Sequence, residues 1–140
     1  LLMSEGRITW AALGEASGLS AAAVAQRVRR LEQAGVIRGY AALADADAVG
    51  AGLLAYVAVR FADPARRARF LTHVRRLPWV LECHHVTGEM DYLLKIRCAG
   101  TKELERLITV ELKDRCKVAE SRTSIVLASP KETVALPLPT

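Results

Sequence analysis

Two short stretches of this sequence carry residues whose types and spacing suit binding chemistry. The first is "GLSAAAVAQRVRRLE", residues 18–32, where Gln26, Arg27, Arg29 and Arg30 follow a run of three alanines. Guanidinium groups on a helix suit phosphate oxygens, a glutamine amide suits a base edge, and alanine methyls pack on thymine methyls. The second is "VTGEMDY", residues 86–92, where Gly88 and Asp91 stand three residues apart in a glycine-containing loop. Backbone N–H groups near a glycine with positive φ donate to a carboxylate, and an aspartate pairs with an ammonium group. An α-amino acid presents both groups. The same stretch also reads as a plain hairpin loop, with Gly88 supplying the turn and Asp91 ending it.

Other constellations are weaker. Cys83, His84 and His85 are consecutive, but adjacent residues on a strand point to opposite faces, so the two histidines do not converge locally. Cys83 and His85 share a face without a second cluster to complete a tetrahedral metal site. We expect no metal and no cofactor. No nucleophile stands at a recognisable spacing from a base, and no glycine-rich phosphate loop is present, so the chain does not read as an enzyme. Arg66, Arg69, His73 and Arg76 recur every three or four residues, which reads as a solvated helix face, with steering of DNA as the minor alternative.

The elements that must position these groups follow from two different rhythms. Up to residue 40 the pattern is that of short helices. Thr9 is placed to cap "WAALGEAS", with Leu13 and Ala16 inward and Gly18 ending it, while Gly14 inside the helix costs about 1 kcal/mol against alanine. Ser20 caps a second helix running to about Ala34, whose stripe of Val24, Val28 and Leu31 faces a core. Helix, glycine turn and helix make a helix-turn-helix outline, and "GVIRGY", residues 35–40, reads as a stop and a short wing strand. In such a motif the start of the second helix lies in the major groove. That places Ser20, Ala21, Ala22 and Gln26 at base edges and Arg27, Arg29, Arg30 and the wing's Arg38 on phosphates.

Residues 41–52 are small and without period, as in a linker. The rhythm then alternates: Leu53, Ala55, Val57, Val59 and Phe61 line one face of a strand. Asp63 and Pro64 open a helix with an inward stripe of Phe70, Leu71, Val74 and Leu77. "VLECHHV" and "YLLKIRC" form a hairpin, and Thr101 caps a helix with Leu104, Leu107, Ile108 and Leu112 inward. "VAESRTSIVL" is a last strand. The order βαββαβ over residues 53–129 is ferredoxin-like, and residues 130–140 are a proline-stiffened tail. The fold class is thus α+β, a winged helix-turn-helix over residues 1–40 followed by a ferredoxin-like domain. Two helices cover one face of the four-stranded sheet, so a second copy is expected to cover the other, giving a homodimer or a higher even-numbered homo-oligomer.

Composition narrows the field further. The chain has 140 residues, 51% of them hydrophobic, a formal net charge of +5 and three cysteines. Residues 1–45 carry five arginines against four acids, so bulk charge does not single out the N-terminal region as the nucleic-acid binder. Three cysteines without C-x-x-C spacing suit a reducing cytoplasm, and no apolar run approaches membrane-spanning length.

"EGRITWAALGEASGLSAAAVAQRVRRLEQAGVIRGY" followed by "ECHHVTGEMDYLLKIRC" resembles the Lrp/AsnC family, also called feast/famine regulators, from about Gly6 to Leu127. The resemblance implies a transcriptional regulator whose N-terminal domain binds double-stranded DNA and whose C-terminal domain oligomerises and binds an amino acid or related effector. It also implies an effector site of Gly88, Asp91, Tyr92 and Thr123. The family normally has a full helix ahead of its "GRIS" motif, so the first helix of the DNA-binding domain reads as truncated. Three alanines stand at the start of the recognition helix where polar residues are common. A stand-alone metabolite-binding ferredoxin-like domain and a sequence-independent DNA-packing protein are the rival functions.

Overall fold

The computed structural model describes residues 1–138, and Pro139 and Thr140 of the expected tail lie outside the described residues. The described chain forms two compact units, one of Leu1–Leu43 with the segment from Pro130 onward, the other Ala44–Ser129.

In the first unit α1 (Trp10–Ser17) and α2 (Ala21–Gln33) are joined by a three-residue turn. Each start is capped as the residue types require: the Thr9 hydroxyl accepts from the Ala12 N–H, and the Ser20 hydroxyl accepts from the Ala23 N–H, both at 3.2 Å. Gly18 ends α1 in the left-handed conformation with φ 67°. Leu13, Val24 and Val28 form the buried core, with Leu2, Ile8, Leu19 and Ile37 packed partly against it. Three expectations fail here. Ala16 is exposed, and the buried small residue of α1 is Gly14, where a Cβ would stand 2.6 Å from the Leu19 carbonyl oxygen. The glycine therefore lets the turn backbone lie against the helix. Leu31 is 41% exposed and only Val24 and Val28 of its stripe are buried. The expected wing strand is also absent: residues 35–40 turn at Gly35 (φ 71°) and continue without strand pairing.

The second unit is a four-stranded antiparallel sheet in the order β2-β3-β1-β4, made of β1 (Leu53–Arg60), β2 (Val80–His85), β3 (Tyr92–Cys98) and β4 (Glu120–Ile125). Asp63 caps a 3₁₀ turn at Pro64–Arg66 that leads into α3 (Arg67–Val74). The alternation in β1 resolves into buried Ala55, Val57 and Val59, in register with Ile96, Leu94 and Tyr92 of β3. Onto this face pack Phe70, Val74 and Leu77 from α3 and its end, and Leu104, Leu107 and Leu112 from α4 (Thr101–Arg106) and its continuation. Phe61, Phe70 and Tyr92 meet as an edge-on aromatic cluster, with Phe61 and Phe70 centroids 5.0 Å apart.

The α4 start and end both differ from expectation. Gly100, in extended conformation, holds the cap position and Thr101 is the first helical residue, while the Glu103 carboxylate accepts from the Ala99 N–H at 2.8 Å. Beyond Arg106 the helix is π-wound over Leu107–Arg115. That wider turn brings Glu111 inside, where its side chain is 7% exposed and lies 2.7 Å from His73 Nε2 and 3.4 Å from Arg115. A glutamate buried this deeply requires such partners. At the sheet edge a bulge between Val80 and Glu82 turns Leu81 outward.

Candidate functional site

The exposed surface of α2 follows from its buried side. With Val24 and Val28 inward, Ala22, Gln26, Arg29 and Gln33 fall on the opposite stripe, at helical spacings of four, three and four. Arg27 and Arg30 flank it. Ala21, Ala22, Gln26, Arg27, Arg29, Arg30 and Arg38 are all exposed, and among the described residues none of the four arginines is ion-paired. The carboxylate nearest in sequence, Glu32, accepts a hydrogen bond from the Tyr40 hydroxyl at 2.9 Å instead, which pushes the phenol up from its ordinary value. Ser20 spends its hydroxyl oxygen on the cap and remains exposed. The helix thus presents a bare N-terminal turn, an amide and unpaired cations. Gln33, the fourth member of the stripe, was missed from sequence because the expected DNA contacts were confined to the start of the helix and its arginines.

The β2–β3 loop is the second cluster. Gly88 has φ 106° and is exposed at the loop, as its type predicts. Asp91 is turned toward the end of β1 and toward α3. Its carboxylate accepts from the Phe61 N–H at 2.7 Å and from Arg67 Nη2 at 2.5 Å, and its own N–H donates to the Val59 carbonyl. The side chain is 14% exposed. Arg67 is thus the residue that sequence reasoning overlooked, 24 positions away and hidden among five arginines of one segment. Tyr92 is buried in the aromatic cluster, with the His85 ring 5.0 Å from its own. Thr123 is exposed on β4, opposite Val57.

The loop is tied to β4 by charge. Glu89 pairs with Arg122 at 3.0 Å, Arg122 with Glu120 at 3.1 Å, and Glu120 with Arg60 at 2.6 Å. These four residues line a cavity of about 410 Å³. The Arg60 guanidinium, then Arg122, lower the Glu120 pKa from its ordinary value. The loop is therefore joined to β4 at Arg122, while Thr123, the next residue, points to the opposite face of the sheet, and Asp91 and Tyr92 support the loop from below.

His84 and His85 part as strand geometry requires. His84 Nε2 lies 3.0 Å from Glu82, and His85 stacks on Tyr92 across the strand pair. Among the described residues no group of three or more His, Cys, Asp or Glu side chains is placed to hold a metal ion. No helix among them is long and apolar enough to cross a membrane.

Comparison with known proteins bears on both clusters. Residues 1–38 match a winged helix-turn-helix DNA-binding model, and residues 54–136 match the Lrp/AsnC ligand binding domain. The chain is 35% identical to the leucine-responsive regulatory protein of Escherichia coli K12 over 141 residues, covering 99% of this chain and 86% of that protein. It is equally similar to the glutamate uptake regulatory protein of Zymomonas mobilis, covering 99% and 85%. Among solved structures, a transcriptional regulator of Neisseria meningitidis in complex with L-methionine superposes with a TM-score of 0.93 at 34% identity, covering 97% of this chain and 89% of that one. A feast or famine regulatory protein of Mycobacterium tuberculosis complexed with L-methionine gives 0.88 at 34% identity, covering 96% and 90%. With a helix-turn-helix of exposed, unpaired arginines and a ferredoxin-like sheet carrying a glycine loop, the chain belongs to the Lrp/AsnC family of transcriptional regulators.

Proposed function

We propose that this chain is a sequence-specific DNA-binding regulator, acting in the cytoplasm as a homodimer or higher even-numbered homo-oligomer, whose assembly or DNA binding responds to an amino acid. The observation that carries the DNA reading is the outer stripe of α2. The Ser20 hydroxyl caps its first turn from within the chain, and its arginines form no ion pair among the described residues. In the proposed docking Ala21 and Ala22 meet thymine methyls with Ser20 beside them, and Gln26 reads a base edge. Arg27, Arg29, Arg30 and Arg38 hold phosphates.

The effector reading places the ligand carboxylate on backbone N–H groups around Gly88, with the Thr123 hydroxyl as a further donor. Asp91 takes the ammonium group. Its carboxylate accepts two hydrogen bonds within the chain, and a carboxylate offers about four acceptor sites, so one oxygen lone pair on each side is left for the ligand. Tyr92 backs the loop as a rigid wall. The L-methionine carried by two structural neighbours supports an amino-acid ligand. Oligomerisation is supported by the sheet face turned away from Phe70 and Leu107, where Tyr56, Ala58 and Leu93 are only half-buried. A ligand seated near a seam between copies shifts assembly by its different affinity for two arrangements.

Electrophoretic mobility of DNA fragments from around the chain's own gene tests the regulator reading. The expected result is retardation of one fragment over random duplex of equal length. Equal affinity for every duplex overturns sequence specificity. A thermal-shift screen of the twenty amino acids tests the effector, and the absence of any stabilisation at millimolar concentration reduces the loop to a turn. Light scattering at micromolar concentration tests assembly, and a monomer overturns it.

A further inference from the structure

The segment from Pro64 to Leu77 contains five arginines, one histidine and no carboxylate. They do not share one task. Arg67 is turned inward onto Asp91, and Arg66 lies 3.7 Å from Asp63. Arg69, His73 and Arg76 instead fall on one flank of α3 and its end, and together with Ala68 and Thr72 they line a surface cavity of about 400 Å³. Arg69 and Arg76 are exposed and form no ion pair among the described residues. Glu111 reaches this flank through His73, and the π-wound segment has drawn it inside. Its carboxylate is taken by His73 and Arg115 at 2.7 and 3.4 Å with 7% of the side chain exposed, so it is not free to neutralise the two arginines.

We propose that Arg69 and Arg76, with the rim of this cavity, form a second DNA-backbone contact surface on the ferredoxin-like unit. The inference rests on the reading of the chain as a DNA-binding protein. The floor of the cavity is short side chains, Ala68 and Thr72, which lets a backbone enter between the two guanidinium groups. The Thr72 hydroxyl is already donating to the Ala68 carbonyl, so the direct donors toward an anion are the arginines. Arg69 stands on α3 and Arg76 in the turn that follows its last residue, Val74. Two guanidinium groups on one open surface suit neighbouring phosphates of a strand, and the test below separates this from capture of a single small anion. Contacts of this kind carry no sequence information, and they show themselves in the salt dependence of binding. His73 is a positioning residue here: it holds the Glu111 carboxylate inside, and neither Arg69 nor Arg76 pairs with it.

The test uses the full chain and a random duplex of about 60 base pairs, comparing the wild type with Arg69→Gln/Arg76→Gln and Arg69→Lys/Arg76→Lys. Folding of each is checked by thermal melting, since both positions are exposed. The expected result is a salt slope reduced by about two units in the glutamine variant and restored in the lysine variant. Unchanged slopes in a glutamine variant that melts like the wild type overturn the inference. So does a pattern in which inorganic phosphate raises the melting temperature of the wild type only, with no difference in DNA binding, because the cavity is then a small-anion site. If the wild type itself retards no duplex, the DNA-binding reading fails with it, and the two failures are told apart by that first lane.

Discussion

The two units of this chain solve the same problem with very different means. The ferredoxin-like unit buries a continuous cluster from Ala55 to Val118, including Phe70, Leu94, Ile96, Leu107 and Leu112 at no more than 1% exposure. The helix-turn-helix unit buries three side chains, Leu13, Val24 and Val28, and leaves Trp10, Leu31 and Val36 exposed. What holds the smaller unit is therefore local: two hydroxyl caps, a left-handed glycine and one close backbone approach at Gly14. A unit built on local devices opens locally, and one built on a shared core melts as a whole.

The sharpest way to break this contrast is at the centre of the larger core. Phe70→Ala removes a fully buried ring from contact with Phe61 and Tyr92 and should lower the stability of the ferredoxin-like unit by about 3–5 kcal/mol. Urea denaturation followed at Trp79, which packs against that core, reads this directly. Amide exchange in α2 should be faster than in β1 and β3 before and after the change. Equal protection of the two units in the wild type would contradict the comparison.

Asp91→Ala comes next. It leaves the Phe61 N–H and the Arg67 guanidinium without their acceptor, and a donor stranded in a part-buried site costs about 1–3 kcal/mol. Arg67 is 37% exposed and recovers part of its loss in water, which favours the lower half of that range. Asp91→Asn keeps one acceptor for the Phe61 N–H and should restore part of the melting temperature. A variant that loses the amino-acid response with an unchanged melting temperature would assign Asp91 to the ligand alone.

In the smaller unit the corresponding change is Gly14→Ala. Helix propensity alone favours alanine by about 1 kcal/mol, yet the new methyl would meet the Leu19 carbonyl oxygen at 2.6 Å. Backbone cannot swing aside as a side-chain end does, so we expect net destabilisation and weaker DNA binding. A more stable protein would show that the turn relaxes freely.

These residues also mark how far the sequence could be read. Caps, apolar stripes and strand alternation are local, so Thr9, Ser20, Asp63, Phe70 and the β1 face were all legible from spacing. Ala16 was not, because one apolar residue at a helix end looks the same on either side of it, and only the packing of the turn decides that Gly14 is the inward position. The wing was not, because a short strand needs a partner that no local pattern names. The π-winding after Arg106 has no local signal, and the buried Glu111 has its partner in His73, 38 positions away. In the candidate sites, exposure of the α2 arginines and the conformation of Gly88 followed from residue type. The Arg67–Asp91 pair did not, because its partners are brought together only by the sheet.

The DNA surface of α2 carries a smaller effect with a distinctive signature. Arg29→Ala should weaken binding to every duplex alike and reduce the salt slope by about one unit, a loss of about three- to fourfold between 50 and 200 mM salt. Gln26→Ala should relax preference at one base pair and leave the slope unchanged. Both sit on the same stripe, so identical behaviour of the two variants would overturn the docking orientation rather than the fold.

The smallest effect lies on the open face of the sheet. Glu82 is held below the ordinary glutamate value first by the hydrogen bond to His84 and then by Lys95, whose ammonium is 3.3 Å away. Because the folded pKa is the lower one, the stabilisation is fully present above the unfolded glutamate value and is lost as pH falls through the folded value. The Glu82 side chain is 44% exposed, so water screens the interaction and only a few tenths of a kcal/mol are expected. His84→Ala should therefore lower the melting temperature slightly at every pH above the ordinary glutamate value, pH 7 included, and make no difference in strong acid, where Glu82 is protonated in both states. A larger loss at neutral pH would mean that His84 works through contact with another copy across the open face, and repeating the melt over a hundredfold range of protein concentration separates the two, since only an interface makes the midpoint depend on concentration.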